Sequence, residues 1–570
     1  MRRIASTAKP ATSRIPPRTS TGSYPKAAEA PIIPTCKRLI SALALLTMVG
    51  AGPSLAQQVD GRAYVRAMAA DADGDVQTAV AAYANALNNA PDDQMVALRA
   101  YREALAAGDE PLATRAAQVL ASDEATPPDV SLYLLALAVR DKDATATERL
   151  MGEVAKGPFN FMLPSLRAWQ AYESGGDPFA PLAEPANSGL ESRFNIENRT
   201  LLGLATGDVT VASQAIRTLI ASGRGSPDLA LDGAVILASI GQRDAARALA
   251  IGAQGELSEY LRRMGRQKPG MAFALSRMML RVAGDLAHED AVVLSIMLTR
   301  TGLLLDPLDD RLRLLLADAL SRDGADDVAL ETLAQIPSSS PFDDEARIVS
   351  IDVLARAGRT DEALTRAREI ATRRGATSDD AQSYGDLLAA NDRYDAAAEA
   401  YAMAIARAEG ADNWVLYVSR GRALDAAGHW DEALAALRQA VALAPNEPVA
   451  LDTLGRAQIE RGVNLAKATA LIERAHELRP NDPEITDSLG WAYFLQGDVD
   501  RALPLLELAA KAAPGSSEIN EHLGDAYWHV GRRFEARYAW QAASVYADAE
   551  QSARLQRKIS HGPGTAMAAD

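Results

Sequence analysis

This chain repeats itself with a period close to 34 residues, and a period of that length dictates an array of small units rather than one globule. The clearest copy reads Leu489-Gly490, Tyr493, Gly497, Ala502, Leu506, Ala509 and Pro514. Moving 34 residues along, Leu523-Gly524, Tyr527, Gly531, Ala536, Trp540 and Ala543 take the same places. Going backward, Leu454, Gly455, Gly462, Ala468, Ala475 and Pro480 fit with one inserted residue, preceded by Gly421, Gly428, Ala433, Leu437, Ala440 and Pro445. The turn position can be followed at 74, 108, 142, 176, 207, 241, 284, 324, 358, 392, 428, 462, 497 and 531, where only Lys142 and Asp392 are not glycine. That spacing predicts about fourteen helix-turn-helix units.

Each part of the period has a physical task. Small residues such as Gly490 and Ala502 let the two helices of a unit approach, while Tyr493 and Leu506 fill the space beside them. A glycine at the turn supplies the left-handed residue that ends the first helix. The following Asp75, Asp109, Asp208, Asp285 or Asp498 is placed to cap the second. Pro91, Pro445, Pro480 and Pro514 close the second helix, and Asp92, Asn446 and Asn481 offer the next start. Hydrophobic residues make up 48% but aromatics only 5%, so the apolar content is largely Ala and Leu, which favours helices over sheets. One helix pair cannot bury its own apolar face, so stability comes from stacking, is limited by neighbours, and needs a polar cover at the end. Residues 549–559 are expected to supply that cover, with Leu555 and Ile559 inward and Arg554, Arg557 and Lys558 outward, followed by a disordered tail at 561–570.

The chain divides by pattern into a leader at 1–56, a degenerate array at 57–270, middle units at 271–378, a regular array at 379–548, and the closing helix and tail at 549–570. In the leader, Lys37-Arg38 precedes the apolar run Leu39 to Val49, and Ser54 and Ala56 hold the small-residue places of a cleavage site. That order reads as a secretory signal, so a periplasmic or otherwise exported protein with no membrane span after cleavage is expected. Arg, Ser, Thr and Pro crowd residues 1–35, a prelude that also suits a transit peptide or a misplaced start. The formal charge is -16; beyond residue 56, 51 Lys/Arg face 74 Asp/Glu, a net -23 that repels nucleic acid and anionic membrane. Cys36 is the only cysteine, which excludes an internal disulfide and a cysteine metal cluster.

On these residues the chain resembles the tetratricopeptide repeat (TPR) superfamily over most of 60–548. The resemblance implies an all-α, right-handed α-solenoid that holds other proteins. The closing stretch Asp487-Ser488-Leu489-Gly490-Trp491, then Glu518 to Asp525 and Gly531-Arg532-Arg533, is similar to exported TPR proteins of Gram-negative bacteria. These include lipoproteins that act as adaptors for carboxyl-terminal processing proteases. The chain departs from those lipoproteins in lacking a cysteine after its apolar run.

The family's concave groove is lined from fixed places on the first helix of each unit, and the resemblance carries those places onto this sequence. They are Arg422 and Asp425; Asp452, Arg456 and Glu460; Asp487, Trp491 and Phe494; Glu521, Asp525, Trp528 and His529. The expected groove is acidic with exposed aromatics, which fits a partner segment with basic and apolar residues and disfavours the carboxylate ligands that some members clamp with Lys and Asn. Trp491, Phe494 and Trp528 are equally readable as packing between units, since apolar stripes at helical spacing usually pack. His522 and His529 with Glu521 and Asp525 lack the fixed third ligand a metal site needs. No motif for catalysis or for a cofactor stands in a suitable context, so no enzyme is expected. The function expected is an envelope scaffold or adaptor, with substrate presentation to a protease as one form of it; the alternative is a structural part of a secretion or envelope assembly.

Overall fold

The computed structural model describes residues 61–563 apart from 73, 123–125, 251–256, 267, 288, 290 and 409–412. The leader at 1–56 and most of the expected tail lie outside the described residues. The regular structure described is helical throughout, with no strand among the described residues. The first stretch holds α1 Gly61–Ala72, α2 Val76–Asn89, α3 Gln94–Ala107, α4 Glu110–Leu120, α5 Pro128–Arg140, α6 Ala144–Val154, α7 Leu163–Ser174, α8 Gly189–Ala205, α9 Val209–Ala221, α10 Asp228–Ser239, α11 Arg243–Leu249 and α12 Leu257–Met264. The middle holds α13 Met271–Leu286, α14 Val292–Leu305, α15 Asp310–Arg322, α16 Asp326–Ala334, α17 Asp343–Arg356 and α18 Thr360–Thr372. The last stretch holds α19 Ser378–Ala390, α20 Tyr394–Arg407, α21 Trp414–Ala426, α22 Trp430–Leu443, α23 Pro448–Glu460, α24 Leu465–Leu478, α25 Pro483–Leu495, α26 Val499–Ala512, α27 Ser517–His529, α28 Arg533–Val545 and α29 Ala549–His561. None of the helices described is long and apolar enough to cross a membrane.

Sequential helices pack as antiparallel pairs, and the turns explain why. Lys142 and Asp392, the two non-glycines in the turn frame, adopt left-handed φ values of 58° and 57°. The period therefore imposes the turn even where the residue is unfavourable for it. Two turn assignments need correction. The left-handed glycine of the fourth unit is Gly175 rather than Gly176, and Gly284 lies inside α13. Asp285 consequently caps nothing and instead pairs with Arg193 at 2.6 Å. Asp75, Asp109 and Asp498 accept the backbone amides of Thr78, Leu112 and Arg501, as their spacing predicts. Asp208 makes no such bond. After the closing prolines, the capping residues are Asp93 and Asp482, one place beyond Asp92 and Asn481, because Asp sits directly before the helix in both cases.

The core differs sharply between the two ends. One contiguous apolar core runs from Ala67 to Val353, straight through residue 270. It exists because α13 and α14 fold back onto the inner helices of the early units. α14 packs on α3 and α5, and α13 on α5 and α7. α14 is suited to that place because apolar and small hydroxyl residues surround it, with Ile296, Met297, Leu298, Thr299, Thr301 and Leu305 all buried. Arg300 locks the contact by donating to the Leu105 and Ala106 carbonyls, both at 2.8 Å, at the C-terminal end of α3, where helix carbonyls lack partners within the helix. Burial pulls its guanidinium down to about 10. Neighbour-limited stacking, expected for the whole array, thus holds only beyond this core, where successive small clusters follow one another from Leu388 to Leu555.

A buried ionic network sits inside the large core. Arg277 pairs with Asp232 at 2.9 Å, Asp306 at 2.7 Å and Asp309 at 2.6 Å; Arg311 pairs with Asp232 at 2.7 Å and Asp309 at 2.9 Å. Asp309 caps α15 by accepting the Arg311 amide, and it is fully buried between two guanidinium groups. Asp310, also buried, bonds Arg263, Arg313 and the Ser340 hydroxyl.

Candidate functional site

In the early array the inner face is covered by α13 and α14, so a groove open to a partner must be sought on α21, α23, α25 and α27. These helices approach their partners closely because each carries glycine at the crossing. A Cβ on Gly490 would lie 2.9 Å from Leu506 Cγ, and one on Gly524 2.4 Å from Trp540 Cδ1. That close fit sets the register which turns the groove positions of consecutive units the same way.

On α21, Arg422 is exposed and Asp425 accepts from Arg461 Nε at 2.9 Å. That guanidinium also lies 4.7 Å over the Trp430 ring. On α23, Arg456 reaches past the next unit to Glu518 at 3.4 Å and stands 3.9 Å from exposed Glu460. Among the described residues Asp452 has no ion-pair partner, and its Oδ1 is shielded from solvent without a hydrogen-bond partner. Burial pushes its carboxyl up to about 6, with Arg456 and the Ser488 hydroxyl only partly opposing.

On α25, Asp487 Oδ2 meets His522 Nδ1 at 2.8 Å, while its Oδ1 has no partner. Trp491 stacks on His522 with ring centres 4.0 Å apart and planes 11° apart, and on Phe494 at 5.0 Å and 18°. His529 meets the Phe494 ring edge-on at 5.5 Å. Four rings from two neighbouring units therefore form one ladder, whose Trp491 and Phe494 remain partly open to solvent. Burial pulls the His522 imidazolium down, but the Asp487 charge and hydrogen bond outweigh it, with Glu518 and Asp525 adding, so the proton is held more tightly than usual.

The last unit closes on itself. Glu521 binds Arg554 and Lys558, both at 2.7 Å, and Asp525 binds Lys558 at 2.6 Å and accepts from Trp540 Nε1 at 3.0 Å. Lys558, expected to face outward, is turned in; Leu555 is fully buried and Ile559 packs beside it as expected. Against burial, Arg554 and Lys558 hold Glu521 below its usual range; burial outweighs Lys558 at Asp525 and raises it. Trp528 packs 5.4 Å from Trp540, lies under Arg533 at 3.9 Å, and is backed by Gly562, which falls within the stretch expected to be tail.

The structure thus divides the sequence candidates. Asp452, Arg456, Asp487, Trp491 and Phe494 share one face with His522 and Glu518, which the groove positions did not name. Glu521, Asp525 and Trp528 belong to the contact with α29. The expected free acidic surface is largely neutralised from within, because Arg461, Arg456, Arg554 and Lys558 converge on it from other elements.

Comparison with known families bears on the same helices. Tetratricopeptide repeat models match residues 414–447, which hold α21 and α22, and residues 488–552, which hold most of α25 through α28. These two stretches of the C-terminal array are tetratricopeptide repeats. Proteins built from TPR arrays are protein-interaction scaffolds. Among solved structures, the chain is similar to a thermophilic TPR protein of Thermus thermophilus, with 22% identity over 32% of this chain and 100% of that one, at a TM-score of 0.30. It is similar to a TPR protein of Parabacteroides merdae at 13% identity, covering 44% and 98%, with a TM-score of 0.37. YrrB, a TPR protein described as having an unusual peptide-binding site, is 18% identical over 35% and 97%, with a TM-score of 0.24. None of the curated proteins compared matches the chain.

Proposed function

We propose that this TPR protein is an exported scaffold that holds a segment of another envelope protein in the groove of its C-terminal array. The observation that carries the reading is the contrast between the two inner faces. The early one is filled by α13 and α14, whereas the later one presents the partly open Trp491–Phe494–His522–His529 ladder. Large rings that are half-open in the free protein and become fully desolvated on binding can supply most of an interface's energy. Export is supported by the basic, apolar and small-residue order from Lys37 to Ala56. Presentation of partners to an envelope protease is the form that the resemblance of the closing stretch favours.

The native protein is expected to begin near Gln57, which sequencing its N-terminus checks; a retained Met1 together with a cytoplasmic location would end the export reading. Capture of partners from the native envelope, followed by mass spectrometry, tests the scaffold. Reversible, salt-sensitive capture of individual proteins is expected. Fixed stoichiometry within one large complex would make the chain a structural part of that assembly instead.

A further inference from the structure

Three consecutive inner helices carry a carboxylate at the same place: Asp452 on α23, Asp487 on α25 and Glu521 on α27, spaced 35 and 34 residues apart. The third shows what chemistry such a place accepts, because two cations of the chain itself, Arg554 and Lys558, end on it at 2.7 Å. The first two differ in one respect. Asp487 has a side chain only 7% exposed, and its Oδ1 has no hydrogen-bond partner; Asp452 Oδ1 is equally shielded and unpartnered. His522 occupies only the other oxygen of Asp487, and Arg456 extends to Glu518 without bonding either orphan oxygen. A shielded carboxylate oxygen without a donor costs about 1–3 kcal/mol, so two at the same place in consecutive units require an explanation.

We infer that Asp452 and Asp487 are two rungs that receive cationic side chains of the partner segment, beside the ring ladder that takes its apolar residues. This inference rests on the C-terminal groove being the binding surface. The occupant is an extended peptide segment with two Lys or Arg residues about three positions apart. Neighbouring helices pack roughly 8–10 Å apart, and an extended chain advances about 3.3 Å per residue, so that spacing sets one cation over each rung. Each cation would donate to an oxygen that now has no donor, and Trp491, one turn after Asp487, would lie against the aliphatic stem of the second.

The rung at Asp452 also gives the inference a signature that a structural role would not produce. Because burial raises its carboxyl to about 6, above the ordinary value near 4, its preference for the protonated state favours folding at acid pH. That contribution fades as pH rises through about 6. Asp452→Asn is therefore expected to raise the melting temperature at pH 7.5 and to flatten its dependence between roughly pH 4 and 6, while weakening cationic peptide binding about tenfold. A group that destabilises the fold and strengthens binding is a binding group.

The test titrates the full mature chain with three short synthetic peptides. All carry the same apolar residues, with two lysines, two alanines or two glutamates three positions apart. Binding of the lysine peptide at least tenfold tighter than the alanine peptide is expected, with that preference lost in Asp452→Asn and in Asp487→Asn. Equal binding of all three peptides would overturn the rungs and leave the groove standing. Binding of none would overturn both, and a lysine preference retained in both variants would place the cation site elsewhere.

Discussion

Replacing Arg277 by alanine is expected to cost about 3–5 kcal/mol of stability in the core that spans Ala67 to Val353. The guanidinium is the shared partner of Asp232, Asp306 and Asp309, all buried, and its removal leaves Arg311 to answer for Asp232 and Asp309 with nothing for Asp306. Urea unfolding followed by helix signal measures it; a loss below about 1 kcal/mol would show that the carboxylates find solvent or protons at little cost. The network also sets an acid limit. Burial pushes Asp309 up, but Arg277 and Arg311 outweigh it and hold its carboxyl at about 2, below the ordinary value near 4. The stabilisation is complete above about pH 4 and is lost as pH falls toward 2, so the wild-type core should weaken through that window and the variant should change much less.

The second large effect concerns the two tryptophans. Trp491→Ala is expected to weaken partner capture by about 2 kcal/mol, roughly thirtyfold, because Trp491 links Phe494 and His522 in a face still partly open to solvent. Trp528→Ala should act on stability instead, since that ring fills the space between Trp540, Arg533 and Gly562. It is expected to lower stability of the last unit by about 3 kcal/mol or more and to affect capture only through that loss. Capture and melting measured on both variants separate these outcomes; a Trp491 variant that melts early and captures normally would return the ladder to packing.

The local fold was legible because it is set by residues close in sequence. The turns at Lys142 and Asp392 were found from the spacing of their neighbours, and both take the left-handed conformation the period demands. The frame failed at Gly284, where the period departs from 34 and a glycine that happens to fall near the expected place continues a helix. The closure of the early array was not legible at all. Its decisive bonds join Arg300 to carbonyls at 105 and 106, and nothing in a repeat pattern specifies which distant helix fills an inner face. Charge was legible in amount but not in pairing: the cations that quiet Glu521 and Asp525 come from a helix whose pattern placed Lys558 outward. His522 stands one residue beyond a groove position, so a frame of fixed places passes over it although its ring completes the ladder.

Photo-crosslinking in the native envelope tests the central claim most directly, with a reactive side chain placed in the full-length protein at exposed Leu495 beside the ladder, or at exposed Met95 on α3 of the early array. The account predicts partner adducts from position 495 that a lysine-containing competitor peptide suppresses, and few or none from position 95. Adducts arising from position 95, with none from 495, would contradict it and move the binding surface to the early array.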